Sequence, residues 1–382
     1  MHSDKYLLVG PLSPPATGQS VSFEMLVKGV AEKDFDSYVV NLARRGESSA
    51  SRFSWRRAME MLAVFTNYIR GLGGGYRNVY ITIAQSAAGF VRDCIMVWSA
   101  RLFSAHIVVH LKGGNYGGFY HSQKTLIQYL VRKTLLQVDA ILVLGEGLRQ
   151  MYDFEPVLRD RIHVVPNGLP VEFGGVSKSL PSAGEPVNIL YLSNLIESKG
   201  VFDLLAAIRQ LKYEYGISVS AVFAGKFLAS SDDRIVSSAE DMESHFFTLI
   251  KRYQIEECVE YLGEVSGDAK WKLLDKCHFF VLPTNYVNEG QPISIIEAMA
   301  YGCPVVSTPF RAIPDLVVNG ETGVLIKYGD VEELSLRLYE LAKDPDRYQA
   351  MSKAAMLRYQ SHFTMRAHLD RIIPMLKVAT DR

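Results

Sequence analysis

Short runs rich in β-branched and aromatic residues alternate along this chain with longer amphipathic stretches, and no other feature constrains the fold as strongly. In the first half the runs are YLLVG (6–10), YVVNLA (38–43), NVYITIA (78–84), AHIVVHL (105–111), DAILVLG (139–145) and IHVVP (162–166). Helical patterns fall between them, near 19–30, 55–71, 86–101, 121–136 and 146–152. Parallel strands need a long crossover, and a helix supplies it, so the alternation predicts βαβ units on a parallel sheet. A Gly/Pro/Ser-rich stretch, NGLPVEFGGVSKSLPSAGEPVN (167–188), interrupts the pattern and reads as a linker. A second series follows: NILYLSN (188–194), SVSAVFAG (218–225), CVEYLG (258–263), HFFVLP (278–283), PVVSTP (304–309) and TGVLIK (322–327), with further helices from about 331 to 378. At 382 residues the chain exceeds what one hydrophobic core usually serves. Two Rossmann-like, doubly wound α/β domains facing across a cleft are expected, over 1–175 and 186–363. Ligands of such sheets bind beyond the carboxyl ends of the strands, which makes the cleft the expected site.

Composition narrows the class. The chain is 48% hydrophobic and 21% charged, ordinary for a soluble globular protein. Cys94, Cys258, Cys277 and Cys303 are scattered, which argues against a disulfide framework and structural zinc and for a reducing, cytoplasmic setting. The N-terminal segment lacks the pattern of a signal peptide, and no run of about 18 apolar residues suggests a membrane span. Net charge is zero, yet residues 40–134 hold 13 Lys/Arg against Glu47, Glu60 and Asp93, a net of +10. Within them, SRFSWRRAMEMLAVFTNYIR mixes Arg52, Arg56, Arg57 and Arg70 with Phe53, Trp55, Met59, Leu62 and Phe65. A basic helix with aromatics suits an anionic membrane surface, so peripheral attachment to the inner face of the cytoplasmic membrane is an expectation; a core helix with a solvated basic face is the alternative. No nucleic-acid partner is expected.

The chemistry concentrates in NEGQPISIIEAMAYGCPVVS (288–307), which carries Glu289 and Glu297 with seven residues between them. Pro292 suits the first turn of a helix running to the Gly302-Cys303-Pro304 break. The N-terminus of that helix has free N–H groups and partial positive charge, which fit a phosphate. Glu289 stands beside it, and Glu297 is placed about two turns inside among apolar neighbours, where a carboxylate is costly unless it accepts hydrogen bonds. Two acceptors around a phosphate pocket describe a nucleotide-diphosphate sugar. Either glutamate alone reads equally as a helix-surface residue or one half of an internal salt bridge.

The passage NEGQPISIIEAMAYGCPVVSTPFRAIPDLVVNGETGVLI resembles the signature of the family 4 retaining glycosyltransferases, including its Gly320-x-x-Gly323 turn. The resemblance implies the GT-B fold, with donor bound by the C-terminal domain and acceptor by the N-terminal one. It implies that Glu297 bonds the ribose, that Glu289 bonds the donor sugar, and that Gly290, Gln291, Pro292 and Ile293 bring their backbone to the diphosphate or sugar oxygens. LSNLIESKGVFDLL (192–205) resembles the segment whose Lys199 neutralises the departing diphosphate. Asn194 stands where many relatives have Arg, and Lys226 is the candidate to supply the missing charge. GPLSPPATGQS (10–20) is not GxGxxG; it is similar to the family's first glycine-bearing loop, in which Gly18 lets backbone approach phosphate and acceptor. HIVVHLKGGNYGGFY (106–120) places His110 where the family carries a histidine near the reacting carbon, although a lone histidine there is otherwise a satisfied core residue. The following GGNYGG reads as a mobile loop, Asn167 of VVPNG as structural, and residues 364–382 as a helix returning to the N-terminal domain.

Metal and cofactor sites are not expected. DFD (34–36) and DPD (344–346) fall at turns or helix caps, not at a strand's carboxyl end beside a nucleotide. In such enzymes lysine and helix N-termini perform the electrostatic task of a metal. The expected activity is transfer of a hexose, with retention, to a hydroxyl of a glycan or lipid-linked acceptor in cell-surface polysaccharide or lipopolysaccharide assembly. A nucleotide-sugar epimerase of the same fold, or a catalytically idle sugar-nucleotide-binding module, are the alternatives, and donor turnover separates them.

Overall fold

A computed structural model of the chain describes residues 5–14, 17–43, 55–170, 177–182 and 184–377, apart from the side chains of 56–58. The chain divides into two compact units, one formed by Met1–Pro170 with Met365–Arg382, the other by Val171–Thr364.

The first unit is built on strands β1 (Lys5–Gly10), β2 (Asp36–Asn41), β3 (Asn78–Ile83), β4 (His106–Leu111), β5 (Ala140–Val143) and β6 (Ile162–Val164). They pair in parallel in the order β2-β1-β3-β4-β5-β6. In β1, β3 and β4 every residue after the first is buried, so these strands read as continuous apolar runs covered on both faces. The crossovers are α1 (Gly18–Glu32), α2 (Trp55–Gly73), α3 (Ala87–Leu102), the short α4 (Tyr116–His121) and α5 (Thr125–Leu135).

The second unit carries β7 (Val187–Leu192), β8 (Val219–Ala224), β9 (Val259–Tyr261), β10 (Phe279–Leu282), β11 (Val305–Ser307) and β12 (Gly323–Leu325), in the order β12-β11-β10-β7-β8-β9. Its helices are α6 (Val201–Tyr213), α7 (Ala239–Tyr253), α8 (Gly267–Lys276), α9 (Ile293–Ala300), α10 (Ile313–Leu316), α11 (Val331–Lys343) and α12 (Pro345–His362). The last helix, α13 (Met365–Leu376), belongs to the first unit. Its Leu369, Ile372, Ile373 and Leu376 join Tyr6, Leu8, Phe23, Leu26 and Tyr80 in one core. The approach of α13 to α1 requires Gly29, because a Cβ there would fall 2.2 Å from Leu369 Cδ1.

Right-handed crossovers fix the layers. The step from β1 to β2 runs opposite to the steps from β2 to β3, β3 to β4 and β4 to β5. Helix α1, joined by α13, therefore lies on one face of the sheet, and α2, α3 and α5 lie side by side on the other.

Three expectations are corrected. The helix read over 121–136 starts later, at Thr125, because Ser122–Lys124 break the chain after the short α4. The segment read as a mobile GGNYGG loop leads directly into α4: Tyr116 is buried and its ring stacks on Tyr152 at 5.2 Å, so aromatic packing overrides the glycine content. Glu297 is the fifth residue of α9, little more than one turn inside rather than two, because Pro292 caps that helix from outside.

Candidate active site

The strand order of the second unit reverses between β7 and β10: β7 leads outward to β8, and β10 leads the other way to β11. Loops leaving the carboxyl ends of these two neighbours diverge and leave a crevice, the place where doubly wound sheets bind ligands. Lys199 comes from the first loop and Glu289 from the second, and they meet there, with Nζ 3.1 Å from Oε2. Both are nearly enclosed, at 12% and 9% side-chain exposure. The ammonium also lies 3.0 Å from Ser193 Oγ and 5.1 Å from the centre of the Tyr286 ring. Thr284 donates its hydroxyl to Glu289 Oε2 at 3.3 Å.

The meeting depends on backbone approach. The N–H of Asn285 donates to Ser198 O at 2.7 Å, tying one loop to the other. Gly200 follows in the left-handed region, at φ +74°, and a Cβ on it would sit 2.4 Å from Pro283 O. Only glycine meets both demands.

Helix α9 starts directly behind Glu289. Its cap, Pro292, has no side-chain acceptor to close the first turn, and the N–H of Ile295 turns back to Pro292 O at 3.2 Å. Gly290, Gln291 and Pro292 are buried in this approach, and Ile293 opens the helix. Glu297 is buried against α8, its Oε1 2.6 Å from Lys270 Nζ. Burial pushes the Glu297 carboxyl up, against the pull of the Lys270 ammonium.

The remaining expected residues are placed as follows. Asn194 is exposed after β7, and its carbonyl accepts the Tyr191 hydroxyl at 3.3 Å. Lys226, after β8, is more than half exposed and lies 2.9 Å from Glu264 Oε2. In the first unit, Gly18 is the exposed first residue of α1, whose N-terminus is closed by reciprocal bonds between Thr17 and Ser20. His110 is fully enclosed on β4. Its Nδ1 lies 3.0 Å from the Tyr80 hydroxyl, and its Nε2 has no partner among the described residues. Burial, helped by Lys112 and His368, holds its imidazole neutral. Asn167 accepts from Ser22 at 3.1 Å and from the buried Lys112 at 3.2 Å, a structural arrangement.

Sequence reasoning missed the supports of this site. Glu197 Oε2 accepts the N–H groups of Arg234, Ile235 and Val236, while Asp233 accepts from Ser198 and Asp232 from Val287. The SSDD run (230–233) was the available signal, since Ser and Asp fold loops back on their own backbone. Arg311 was also missed. It holds a left-handed φ of +53°, its Nε is buried without a hydrogen-bond partner among the described residues, and its Nη2 reaches Val287 O at only 3.4 Å. Among the described residues Lys199 and Lys270 are each matched by a glutamate, whereas no carboxylate pairs with Arg311.

The fold defines the class: a chain of GT-B architecture, with the crevice in its second unit. Residues 176–358 match the family described as Glycosyl transferases group 1. Among curated relatives, the putative colanic acid biosynthesis glycosyltransferase WcaL of Salmonella typhimurium is 30% identical over 205 residues, 52% of this chain and 47% of that protein. The amylovoran biosynthesis glycosyltransferase AmsK of Erwinia amylovora is 25% identical over 197 residues, 50% and 45% of the two chains. The chain thus spans about half the length of these relatives. Anabaena Alr3699/HepE, solved in complex with UDP and glucose, superposes with a TM-score of 0.71 at 17% identity over 97% of this chain and 99% of that one. This likeness establishes the fold.

Proposed function

We propose that the chain is a retaining, metal-independent hexosyltransferase of family 4. Its donor is a nucleoside-diphosphate sugar and its acceptor a hydroxyl of a glycan or lipid-linked glycan, in cytoplasmic assembly of a cell-surface polysaccharide. The observation that carries this is the enclosed Lys199–Glu289 pair at the switch point, directly before the N-terminus of α9. That arrangement offers positive charge to a diphosphate and a carboxylate to the hydroxyls of the sugar attached to it. The HepE complexes with UDP and UDP-glucose support the donor class, and the names of WcaL and AmsK support polysaccharide assembly.

In this reaction the bond from the anomeric carbon to the diphosphate breaks, and negative charge grows on the leaving oxygen. Lys199 and the α9 amides stabilise that charge, and Arg311 adds a cation not matched by a carboxylate. One such preorganised donor is worth about 3 kcal/mol in a desolvated site. The acceptor oxygen bonds the anomeric carbon on the face the diphosphate leaves, and its proton passes to a phosphate oxygen. Glu289 orients the sugar and Glu297 the ribose.

A thermal-shift screen against nucleoside-diphosphate sugars, followed by NMR of the product, tests this. The right donor raises the midpoint by mass action, and the product keeps the donor's anomeric configuration. Inversion, or stabilisation by no nucleotide sugar, overturns it.

A further inference from the structure

The helix layer α2–α3–α5 of the first unit is apolar on both sides. In α3 the inner stripe, Phe90, Met96, Val97 and Ala100, is buried against the sheet, as a crossover helix demands. Val91, Ile95, Trp98 and Leu102 form a second stripe, spaced four, three and four residues apart, which faces outward with Leu102 at 85% exposure. The neighbours continue it. On α5, Leu126, Tyr129 and Leu130 are exposed; on α2, Trp55, Met59 and Leu62 are exposed, Trp55 at 81%. The three helices are locked side by side: Tyr68 of α2 donates to Met96 O at 2.8 Å, and Trp98 of α3 donates to Thr134 of α5 at 3.2 Å. A crossover helix needs one apolar face, and scattered surface apolar residues are ordinary, but a second apolar stripe continued over three adjacent helices marks an interaction surface.

Charge selects the occupant. Residues 40–134, which contain most of the layer, carry a net of +10, although Lys112 is buried and Arg101 and Arg132 pair with Asp139 and Glu155. Arg70, Lys124 and Lys133 stand exposed on or beside its helices, and no carboxylate pairs with them among the described residues. Arg52, Arg56 and Arg57, expected from the sequence to share in such a surface, lie outside the described residues or side chains. A second copy of the chain would set the exposed cations Arg70, Lys124 and Lys133 against their own counterparts across a symmetric interface. Nucleic acid would leave the Trp, Leu and Ile side chains in water. An anionic bilayer accepts both kinds of group: cations are drawn to the headgroups while apolar side chains enter the boundary below them. We infer that the outer face of α2, α3 and α5 docks on an anionic lipid bilayer, lying on it rather than crossing it. No described helix is long and apolar enough to span a membrane. Docking needs no donor, so it stands or falls separately from sugar transfer.

Two of the chain's three tryptophans, Trp55 and Trp98, lie on this face, and Trp271 lies in the second unit. The full chain is mixed with vesicles of phosphatidylcholine and phosphatidylglycerol, with and without brominated acyl chains. Expected are co-sedimentation with anionic vesicles, at least about tenfold weaker binding to phosphatidylcholine alone, and release in about 0.5 M salt as screening sets in. Brominated lipid should quench the native chain but not Trp55→Phe/Trp98→Phe, which reports through Trp271. Val91→Ser/Ile95→Ser/Leu102→Ser should lose binding about tenfold or more at an unchanged melting temperature. The quenching contrast decides the matter even where that variant folds poorly. Absence of binding, equal quenching of the Trp271-only variant, or a folded triple variant that binds like wild type overturns the inference. A dimer dissolved by the triple variant, without vesicle binding, would hand the face to a second copy.

Discussion

Replacing Lys199 by methionine tests both the stability and the chemistry of the crevice. The substitution keeps most of the side-chain length and removes the charge. It leaves Glu289, at 9% side-chain exposure, with the Thr284 hydroxyl at 3.3 Å as its remaining described side-chain partner. Breaking a buried ion pair from one side costs about 3–5 kcal/mol, because the surviving charge is desolvated and uncompensated. Both side chains keep slight solvent access, so the lower end, about 3 kcal/mol, is expected for the second unit. Lys199→Met/Glu289→Gln removes both charges and should regain most of the stability. It should not regain turnover: the leaving diphosphate still lacks its cation, and kcat should stay about 10²–10³-fold down in both variants. Urea titrations of wild type, the two single variants and the double variant, with steady-state rates on the donor found by thermal shift, separate the effects. A double variant that turns over like wild type would refute the role of Lys199 in charge stabilisation. A Lys199→Met protein as stable as wild type would refute the energetic account of the pair.

Other perturbations address different parts of the molecule. His368 is enclosed in the first unit with its pKa pushed down to about 3, mainly by burial. The unfolded chain takes up that proton first, so the stability is present above pH 6.5 and is lost as pH falls from 6.5 toward 3. At pH 5 the loss is roughly 2 kcal/mol, and His368→Gln should flatten that part of the pH–stability curve; an unchanged slope contradicts it. Gly200→Ala forces a side chain into the left-handed region and against Pro283 O, costing about 2 kcal/mol or more; calorimetric titration should show weaker nucleoside-diphosphate binding, and normal affinity would show that the two loops need not touch. Arg311→Gln should weaken a nucleoside diphosphate by about tenfold and leave the nucleoside unaffected; equal losses would place Arg311 away from the phosphates.

Much of the architecture was legible because strands buried on both faces leave continuous apolar runs. The twelve strands among the described residues lie where YLLVG, AHIVVHL, HFFVLP and their counterparts predict, within a few residues at each end. Failures came where long-range packing overrode local signals: α4 forms through Gly117 and Gly118 because Tyr116 stacks on Tyr152, 36 residues away. At the crevice, Glu289, Glu297 and Lys199 could be picked from spacing and resemblance. Their partners could not: Lys270 lies 27 residues before Glu297, and nothing in GDAKWKLLDK announces that contact. The outer stripe of α3 lies in the sequence beside the inner one, and only the sheet's position tells which of the two is spare.

By itself, the order of residues determined which segments become strands and helices, because burial on one or two faces imposes a local period that can be counted. It also set where carboxylates and glycines interrupt that period. The tertiary structure alone decided which charges face each other and which apolar faces stay uncovered. Those outcomes depend on strand order: placing β7 beside β10 brings Lys199 to Glu289, residues separated by 90 positions in the chain, within 3.1 Å. No local pattern encodes that neighbourhood. It arises when the sheet assembles and each loop finds its counterpart across the switch point.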